Sequence, residues 1–305
     1  MTIRSTRRVA LQGLAGLSLA TLLPVPLRAQ STSLSTPGWP IKPIAYIVPF
    51  TPGGSTDVIG RTLAQKLAEV LGQPVVVDNK PGANGGLAAA AVARAAPDGY
   101  TLMMTTNSSH AANLALFKSL PYDPVKGFES VALFGLAPFL IVATPNAPFN
   151  NVKELVAYAK ANPGKLSYGA GTSTATVSGE SFNRIAGIEV LRVPYKSAPP
   201  ALTDVIAGNI HYTFIDVGTG LPHVRGGRLK PIVSTSSQRS PNLPDLPTMR
   251  EQGIEFDLDA WYALFAPAKT PEAIVNRFVD ETHAALAQLP GHAIAANLFR
   301  HCSRH

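Results

Sequence analysis

Along this chain, short apolar runs alternate with turns rich in Gly, Ser and Thr and with segments whose apolar residues recur at helical spacing. The first unit has an apolar run at residues 44–50, a turn at 51–56 and a helical segment that ends at Leu71. This alternation predicts an α/β fold with largely parallel sheets. In the first helix the predicted buried stripe is Ile59, Leu63, Leu67, Val70 and Leu71. Further strands are predicted at 75–77, 100–106, 166–170, 190–195, 210–216 and 229–234, and further helices at 87–96, 152–161, 197–206 and 221–225, with one more ending at 185.

Two apolar runs are longer than the others and do not fit a single strand–turn–helix unit. They span residues 131–144 and 260–267, and we interpret them as strands that cross between two lobes. On this interpretation residues 38–138 together with 262–305 form the first lobe, and residues 139–261 form a second lobe inserted into it. Two crossings between the lobes predict a hinge.

The first 29 residues have the pattern of an export signal. A charged segment, an apolar stretch at 10–23 and a cleavable end follow one another in residues 1–29. The stretch is too short to cross the ~30 Å hydrocarbon core of a membrane. The pair Arg7-Arg8 resembles a twin-arginine signal, but Ala10 stands where a bulky apolar residue is preferred, so Tat and Sec export both stay open. The mature chain is therefore expected in the periplasm.

The formal charge of +7 comes largely from this segment, because it carries four arginines, at positions 4, 7, 8 and 28, and no acidic residue. Removal of residues 1–29 reduces the charge to +3. The remainder has no run of Lys and Arg interleaved with aromatic residues, so nucleic acid is not an expected partner. Cys302 is the only cysteine, and neither an intramolecular disulfide nor a cysteine-based metal site is expected.

Three turns between a strand and a helix carry more hydrogen-bonding groups than a helix cap needs. They lie at residues 52–57, 106–109 and 171–176, and each is rich in hydroxyl-bearing and small residues. In open α/β sheets ligands bind at the carboxyl ends of strands, where a helix N-terminus offers unpaired N–H groups and about half a positive charge. At Gly53-Gly54 no side chain blocks the approach of a ligand oxygen. If the lobes face each other, these turns converge on one cleft, which predicts a site for a small anion.

Other kinds of site have no support in the sequence. Gly53-Gly54 is not followed by Lys, and the glycines of residues 82–86 have the wrong offsets for a dinucleotide fingerprint, which argues against nucleotide binding. No nucleophile elbow, zinc-protease helix or comparable catalytic motif occurs, so no catalytic residue and no cofactor is expected. His110 could line the cleft but is expected at the surface or in a cap. The cluster at 301–305 is expected to be a chain end rather than a metal site.

Seven segments between about residue 40 and residue 290 give the chain a resemblance to a known family. In chain order they are "VPFTPGGSTDVIGR", "GQPVVVDNKPGANGGLAAAAVARAAPDGYTLMMTT", "LPYDPVKGFESVALFG", "AYAKANPGKLSYGAG", "VPYKSAPPALTDVIAGNIHYTF", "GGRLKPIVSTSSQRSPNLPDLPTMREQG" and "WYALFAPAKTP". They resemble the Bug family, the periplasmic solute-binding proteins of tripartite tricarboxylate transporters. The resemblance implies a Venus-flytrap fold of two α/β lobes, each a mostly parallel sheet flanked by helices, joined by two crossover strands. It also implies a monomer that is not an enzyme, that closes on a small carboxylate and that delivers it to membrane transporter subunits.

The resemblance carries over candidate ligand contacts, in which backbone amides and hydroxyls rather than an arginine clamp hold the carboxylate. Asp57 is expected mainly to order its loop, and Asp216 either to contact a ligand amine or hydroxyl or to cap a loop. Many family members have His near the position of Thr176, and the resemblance fades after Pro290, where the chain end looks shortened or altered. The predicted contacts are Gly53, Gly54, Ser55, Thr56, Asp57, Thr106, Asn107, Ser108, Thr172, Ser173, Thr174 and Asp216.

Two alternative functions would use the same cleft. A ligand sensor would close in the same way and signal to a membrane protein, and the sequence does not separate it from a transport receptor. An exported hydrolase or isomerase would need a positioned base and nucleophile, which no motif indicates. The ligand itself stays open among dicarboxylates, amino acids, nicotinate-like aromatic acids and aryl diacids.

Overall fold

The computed structural model describes residues 38–288. The predicted export signal at 1–29 and the segment after Pro290, where the resemblance fades, lie outside these residues. Between residues 38 and 288, no helix combines the length and the apolar character that a membrane span requires.

The first half of the described chain repeats the strand–turn–helix order that the apolar pattern predicts. A 3-10 turn at Ala83–Gly85 and a π-helical turn at Ser108–Ala112 precede its two shorter helices. The elements are β1 (Ile44–Val48), α1 (Ser55–Leu71), β2 (Val75–Asn79), α2 (Gly86–Ala93), β3 (Thr101–Thr106), α3 (Asn113–Leu116) and the long β4 (Phe128–Ala143).

The second half continues the same order and then returns to the first lobe. A 3-10 turn at Arg250–Gln252 lies in the connection that leads back. The elements are α4 (Val152–Ala161), β5 (Ser167–Ala170), α5 (Ser173–Ala186), β6 (Leu191–Pro194), α6 (Ala198–Ala207), β7 (Tyr212–Asp216), α7 (Val217–Arg225), β8 (Lys230–Ser234), β9 (Asp259–Pro267) and α8 (Glu272–Gln288).

The strands pair in the order β2-β1-β3-β9-β4-β7-β5-β6, with β8 also paired to β4. The strands of the repeating units are parallel, since β1 pairs with β2 and β3, and β5 pairs with β6 and β7, in parallel register. The pairs made by β4 and β9 are antiparallel. The two lobes are therefore α/β layers, and their sheets are mixed where the long strands join them.

Strand β4 belongs to both lobes. Its residues Phe128 to Pro138 pair with β9, and its residues Phe139 to Ala143 pair with β7. Just before β9, the Leu258 N–H donates to the Thr235 carbonyl at 2.9 Å, so the returning chain leaves the second lobe at this point. The structure thus has two connections between the lobes, and the lobe limits at 138/139 and 261/262 stay a prediction.

Helix α1 shows how the apolar pattern positions a functional turn. Ile59, Leu63, Leu67 and Leu71 are buried against the first-lobe core. Val70 was predicted in the same stripe, but it is 39% exposed because its position falls at the edge of the buried face. Fixing this face against β1 and β2 also fixes the N-terminus of α1, which points toward the second lobe at Ser55.

Candidate functional site

The three predicted turns lie around one cavity between the two lobes. Its empty space, including the part open to solvent, is about 420 Å³, and small-molecule sites often form in clefts between two lobes. From the predicted set, the cavity is lined by Gly54, Ser55, Thr56, Thr106, Asn107, Ser108, Thr172, Thr174 and Asp216. The structure therefore brings nine of the twelve predicted contacts together, and Gly53, Asp57 and Ser173 lie outside the lining.

Asp57 is used within its own loop. Its carboxylate accepts from the Gly53 N–H at 3.1 Å and from Asn79 Nδ2 at 3.0 Å, and it forms an ion pair with Arg61 at 2.9 Å. Burial opposes ionisation of this carboxyl, but the hydrogen bonds from Arg61, Gly53 and Asn79 outweigh burial and hold its pKa below the usual value. Asp57 thus orders the turn, and Gly53, with φ of +90°, supplies the backbone conformation that the turn needs.

The turn after β3 contributes Thr106, Asn107 and Ser108. The Ser108 N–H donates to Thr106 Oγ1 at 3.2 Å, which closes a local turn at the end of the strand. Ser108 Oγ and Thr174 Oγ1 are 3.0 Å apart across the cleft. This turn therefore lines the cavity and touches the second lobe.

The start of α5 forms the second-lobe side of the cavity. Thr172 caps the helix, since its Oγ1 accepts from the Ala175 N–H at 3.1 Å. Ser173 instead donates to Asn113 Oδ1 at 2.6 Å. Because that hydroxyl is buried in a contact between the lobes, Ser173 tightens the closed cleft and does not line the cavity.

Asp216 lies at the end of β7 and caps α7. Its Oδ1 accepts from the Thr219 N–H at 2.9 Å and from the Ser55 hydroxyl of the first lobe, and its Oδ2 accepts from Thr219 Oγ1 at 3.0 Å. Tyr262 completes this group: burial raises its pKa well above the usual value, the nearby Asp216 carboxylate raises it further, and its hydroxyl hydrogen-bonds with Asp216 and Ser55. Asp216 is therefore both a cap and the one carboxylate among the residues that line the cavity.

The sequence reasoning missed the apolar wall of the cavity. An apolar residue at the end of a strand has the same local pattern whether it faces a core or a cleft. Only the motif "WYALFAPAKTP", which contains Tyr262, could have indicated a lining residue of this kind. The missed lining residues are Phe50, Phe139, Ala198, Pro199, Thr219, Ala260 and Tyr262.

Hydrogen bonds across the cleft show that the lobes are closed on each other. Thr51 Oγ1 and Ser197 Oγ are 2.6 Å apart, and the Ser55 N–H donates to Thr219 Oγ1 at 3.0 Å. Hydroxyl and N–H groups that could bind a ligand oxygen thus contact the opposing lobe in this state.

His110 follows the second turn but does not line the cavity. Its ring packs against Phe128 and Phe265, with centroids 4.7 and 4.8 Å away, and its Nδ1 contacts the hydroxyls of Thr105 and of Ser109, the latter at 2.9 Å. Burial lowers its pKa to about 4. His110 is therefore partly buried rather than at the surface, because Phe128 and Phe265 pack against its ring.

The cavity offers hydroxyl, amide and backbone groups. Of the residues that line it, none is Lys, Arg, His or Cys, and residues 38–288 contain no group of three or more metal-type ligands. Uncharged donors of this kind suit an oxygen-rich ligand.

Comparison with known proteins shows similarity in both sequence and fold. Residues 59–297 match a family model described as the tripartite tricarboxylate transporter family receptor. Protein BugT of Bordetella pertussis is 38% identical over 255 residues, which cover 81% of this chain and 78% of BugT. The structure of periplasmic binding protein BugD has 34% identity and a TM-score of 0.79 over 82% of this chain and 85% of that chain. MatC from Rhodopseudomonas palustris, solved with bound malate, has 34% identity and a TM-score of 0.82 over 87% of this chain and 92% of that chain.

Proposed function

Since this chain belongs to the tripartite tricarboxylate transporter receptor family, which includes the Bug solute-binding proteins, we propose that it captures a small carboxylate between its lobes and delivers it to a tripartite tricarboxylate-type transporter. The proposal places it in the periplasm, as a monomer without catalytic activity. The related MatC, which was solved with malate, supports a carboxylate as the class of ligand.

One observation carries the proposal: turns from both lobes, each at the end of a strand and the start of a helical segment, line a single cavity. A carboxylate there would receive N–H and hydroxyl donors from α1 and α5, and each helix N-terminus contributes about 0.3–1 kcal/mol to an anion. The ligand contacts that we propose are Gly54, Ser55, Thr56, Thr106, Asn107, Ser108, Thr172 and Thr174.

The contacts across the cleft indicate how a bound ligand would favour closure of the lobes. In the closed structure Ser55 and Ser108 contact Thr219 and Thr174 directly. A bound carboxylate would take over these donors from both lobes at once, because one ligand oxygen can accept from each side of the cleft. A group that both lobes hold would stabilise the closed state relative to the open one.

A thermal-shift screen of small organic acids tests the proposal. A ligand at 100 times its Kd is expected to increase the free energy of unfolding by about 2.7 kcal/mol, because it binds only the folded protein. Isothermal titration calorimetry then measures the affinity of each hit. If mono-, di- and tricarboxylates, hydroxy acids and amino acids all leave the melting temperature unchanged, the proposed function is wrong.

Substitution of Gly54 tests whether the α1 turn is part of the site. A Cβ at this position would lie 3.7 Å from the Pro199 ring, which is an ordinary contact, so Gly54→Ala is expected to weaken binding only a few-fold. The two γ-carbons of Gly54→Val would extend into the space between Gly54 and Pro199, and Kd is expected to increase at least about tenfold. Calorimetry with the best ligand from the screen measures both Kd values. Equal values for the Ala and Val variants would show that this turn does not contact the ligand.

A further inference from the structure

The charges in the cavity are unbalanced. Asp216 is the only acidic residue in the lining, and no Lys, Arg or His lies there. A bound carboxylate would therefore share a closed cavity with a second negative charge. Two like charges at close range in a poorly solvated space repel strongly, and no cation among the lining residues compensates either of them.

Two basic side chains of the second lobe lie at a neighbouring hollow. Arg192 and Lys196 line it together with Asn84 of the first lobe and Thr176 of α5. Arg192 also pairs with Glu180 at 3.3 Å. These two cations thus do not offset the carboxylate of Asp216 inside the central cavity.

Both lobes present hydroxyl and N–H donors to the cavity, but Asp216 of the second lobe is the one carboxylate acceptor in the lining. It faces first-lobe donors, namely the hydroxyl of Ser55 and the N–H groups at the start of α1. In the closed structure the Ser55 hydroxyl donates directly to Asp216. A ligand that inserts between them must accept a hydrogen bond from the first-lobe side and donate one to the second-lobe side.

We propose that the ligand is a zwitterionic 2-amino acid with an uncharged, apolar side chain, and that Asp216 binds its ammonium group. This inference rests on the proposed function. The ligand carboxylate replaces Asp216 as the partner of the Ser55 hydroxyl, and the ammonium occupies the place on Asp216 that Ser55 leaves. The zwitterion brings no net charge into the cavity. Its ammonium compensates Asp216 directly, as a charge-assisted hydrogen bond.

The remaining partners of Asp216 fit this role. Thr219 holds the carboxylate through its N–H at 2.9 Å and its hydroxyl at 3.0 Å, so the acceptor keeps its orientation when Ser55 turns away. The side chain of the amino acid would lie against the apolar wall formed by Phe50, Phe139 and Pro199. A second carboxylate or a basic side chain has no partner of opposite charge there.

The test compares ligands that differ only at the 2-position. Leucine is paired with 4-methylpentanoate, and phenylalanine with 3-phenylpropanoate, while 2-hydroxy-4-methylpentanoate supplies a donor without a charge. Calorimetry is expected to show that at least one amino acid binds about tenfold or more tightly than its partner without the amine, and that the hydroxy acid falls between. Malate and adipate serve as diacids that retain the carboxylate but lack the ammonium.

Asp216→Asn provides the protein side of the test. Asn is as good a helix cap as Asp, so α7 retains its start while the charge is lost. The preference for the amino acid is expected to fall to within about threefold. Asp245→Asn removes an exposed carboxylate of the second lobe and is expected to leave the preference unchanged, and the melting temperature of each free variant checks that it is folded.

Each outcome decides one of the two proposals. Tighter binding of a diacid or of a partner without the amine overturns the amino-acid assignment and leaves the carboxylate function standing, and this comparison needs only the wild-type protein. An amino-acid preference that persists in Asp216→Asn overturns the role of Asp216. No binding by any acid in this panel overturns the amino-acid assignment, and the proposed function is overturned as well if the wider screen of organic acids gives no binding.

Discussion

The variant Gly171→Ala is expected to lose ligand binding and to lower the free energy of unfolding by about 3 kcal/mol or more. A Cβ at Gly171 would lie 2.2 Å from the Ser197 carbonyl oxygen, 2.3 Å from its carbon and 2.6 Å from the Ala198 nitrogen. These are backbone atoms, so no side-chain rotation relieves the overlap. The chain from β5 to α5 and the chain before α6 must therefore move apart.

Both displaced segments belong to the cleft. Thr172 follows Gly171 and lines the cavity, and Ser197 contacts Thr51 of the first lobe at 2.6 Å. Chemical denaturation measures the stability, and calorimetry with the best ligand measures the affinity. Gly86→Ala is the matched control, because Gly86 does not line the cavity and a Cβ there would meet only side-chain atoms, none nearer than 3.5 Å. A Gly171→Ala protein with wild-type stability and affinity would show that these two segments can separate freely.

The free energy of unfolding is expected to fall by about 3 kcal/mol between pH 6.5 and pH 4 because of His110 alone. Burial lowers the pKa of His110 from 6.5 to about 4. Above pH 6.5 the ring is neutral in both states. Between these values the unfolded chain binds a proton that the folded protein excludes, so stability falls as the pH falls, and below pH 4 the loss levels off.

The comparison of wild type with His110→Asn isolates this contribution. The variant lacks a group that titrates in this range, so its stability should fall about 3 kcal/mol less than that of wild type between pH 7 and pH 4. Other groups, including His211 and His223, whose pKa values burial also lowers, contribute equally to both proteins. The variant should be less stable at pH 7, since it loses the ring contacts to Phe128 and Phe265. Parallel stability curves for the two proteins would contradict the assignment to His110.

Asp57 and Asp216 show how far sequence reasoning reaches at the site. Both are aspartates at the start of a helix, and the local pattern gives each the choice of a cap or a ligand contact. Asp57 is held within its own loop by Gly53, Asn79 and Arg61. Asp216 caps α7 but also faces the cavity and accepts from Ser55 of the other lobe. The difference depends on which surfaces the two lobes bring together.

The same limit explains the residues that were missed or misplaced. Tyr262, Phe139 and Phe50 line the cavity although their apolar pattern resembles that of any strand end. Ser173 has a hydroxyl that could contact a ligand, but this hydroxyl donates to Asn113 Oδ1 of the first lobe at 2.6 Å. His110 lies among aromatic rings from β4 and β9, which are distant from it in the chain.

The sequence by itself determined the order of the strands, six of the helices, the three polar turns and the family, because hydrophobic periodicity, helix capping and the quoted motifs are short-range features of the chain. It did not predict α3 or α8. Only the tertiary structure decided which hydroxyls face the cavity, which ones join the lobes and which carboxylate remains in the site. Those outcomes depend on contacts between residues that are more than 60 positions apart, such as Ser55 with Asp216 and Ser108 with Thr174. A local pattern cannot specify them, since the same side chain can satisfy its hydrogen bond within its own turn or across the cleft.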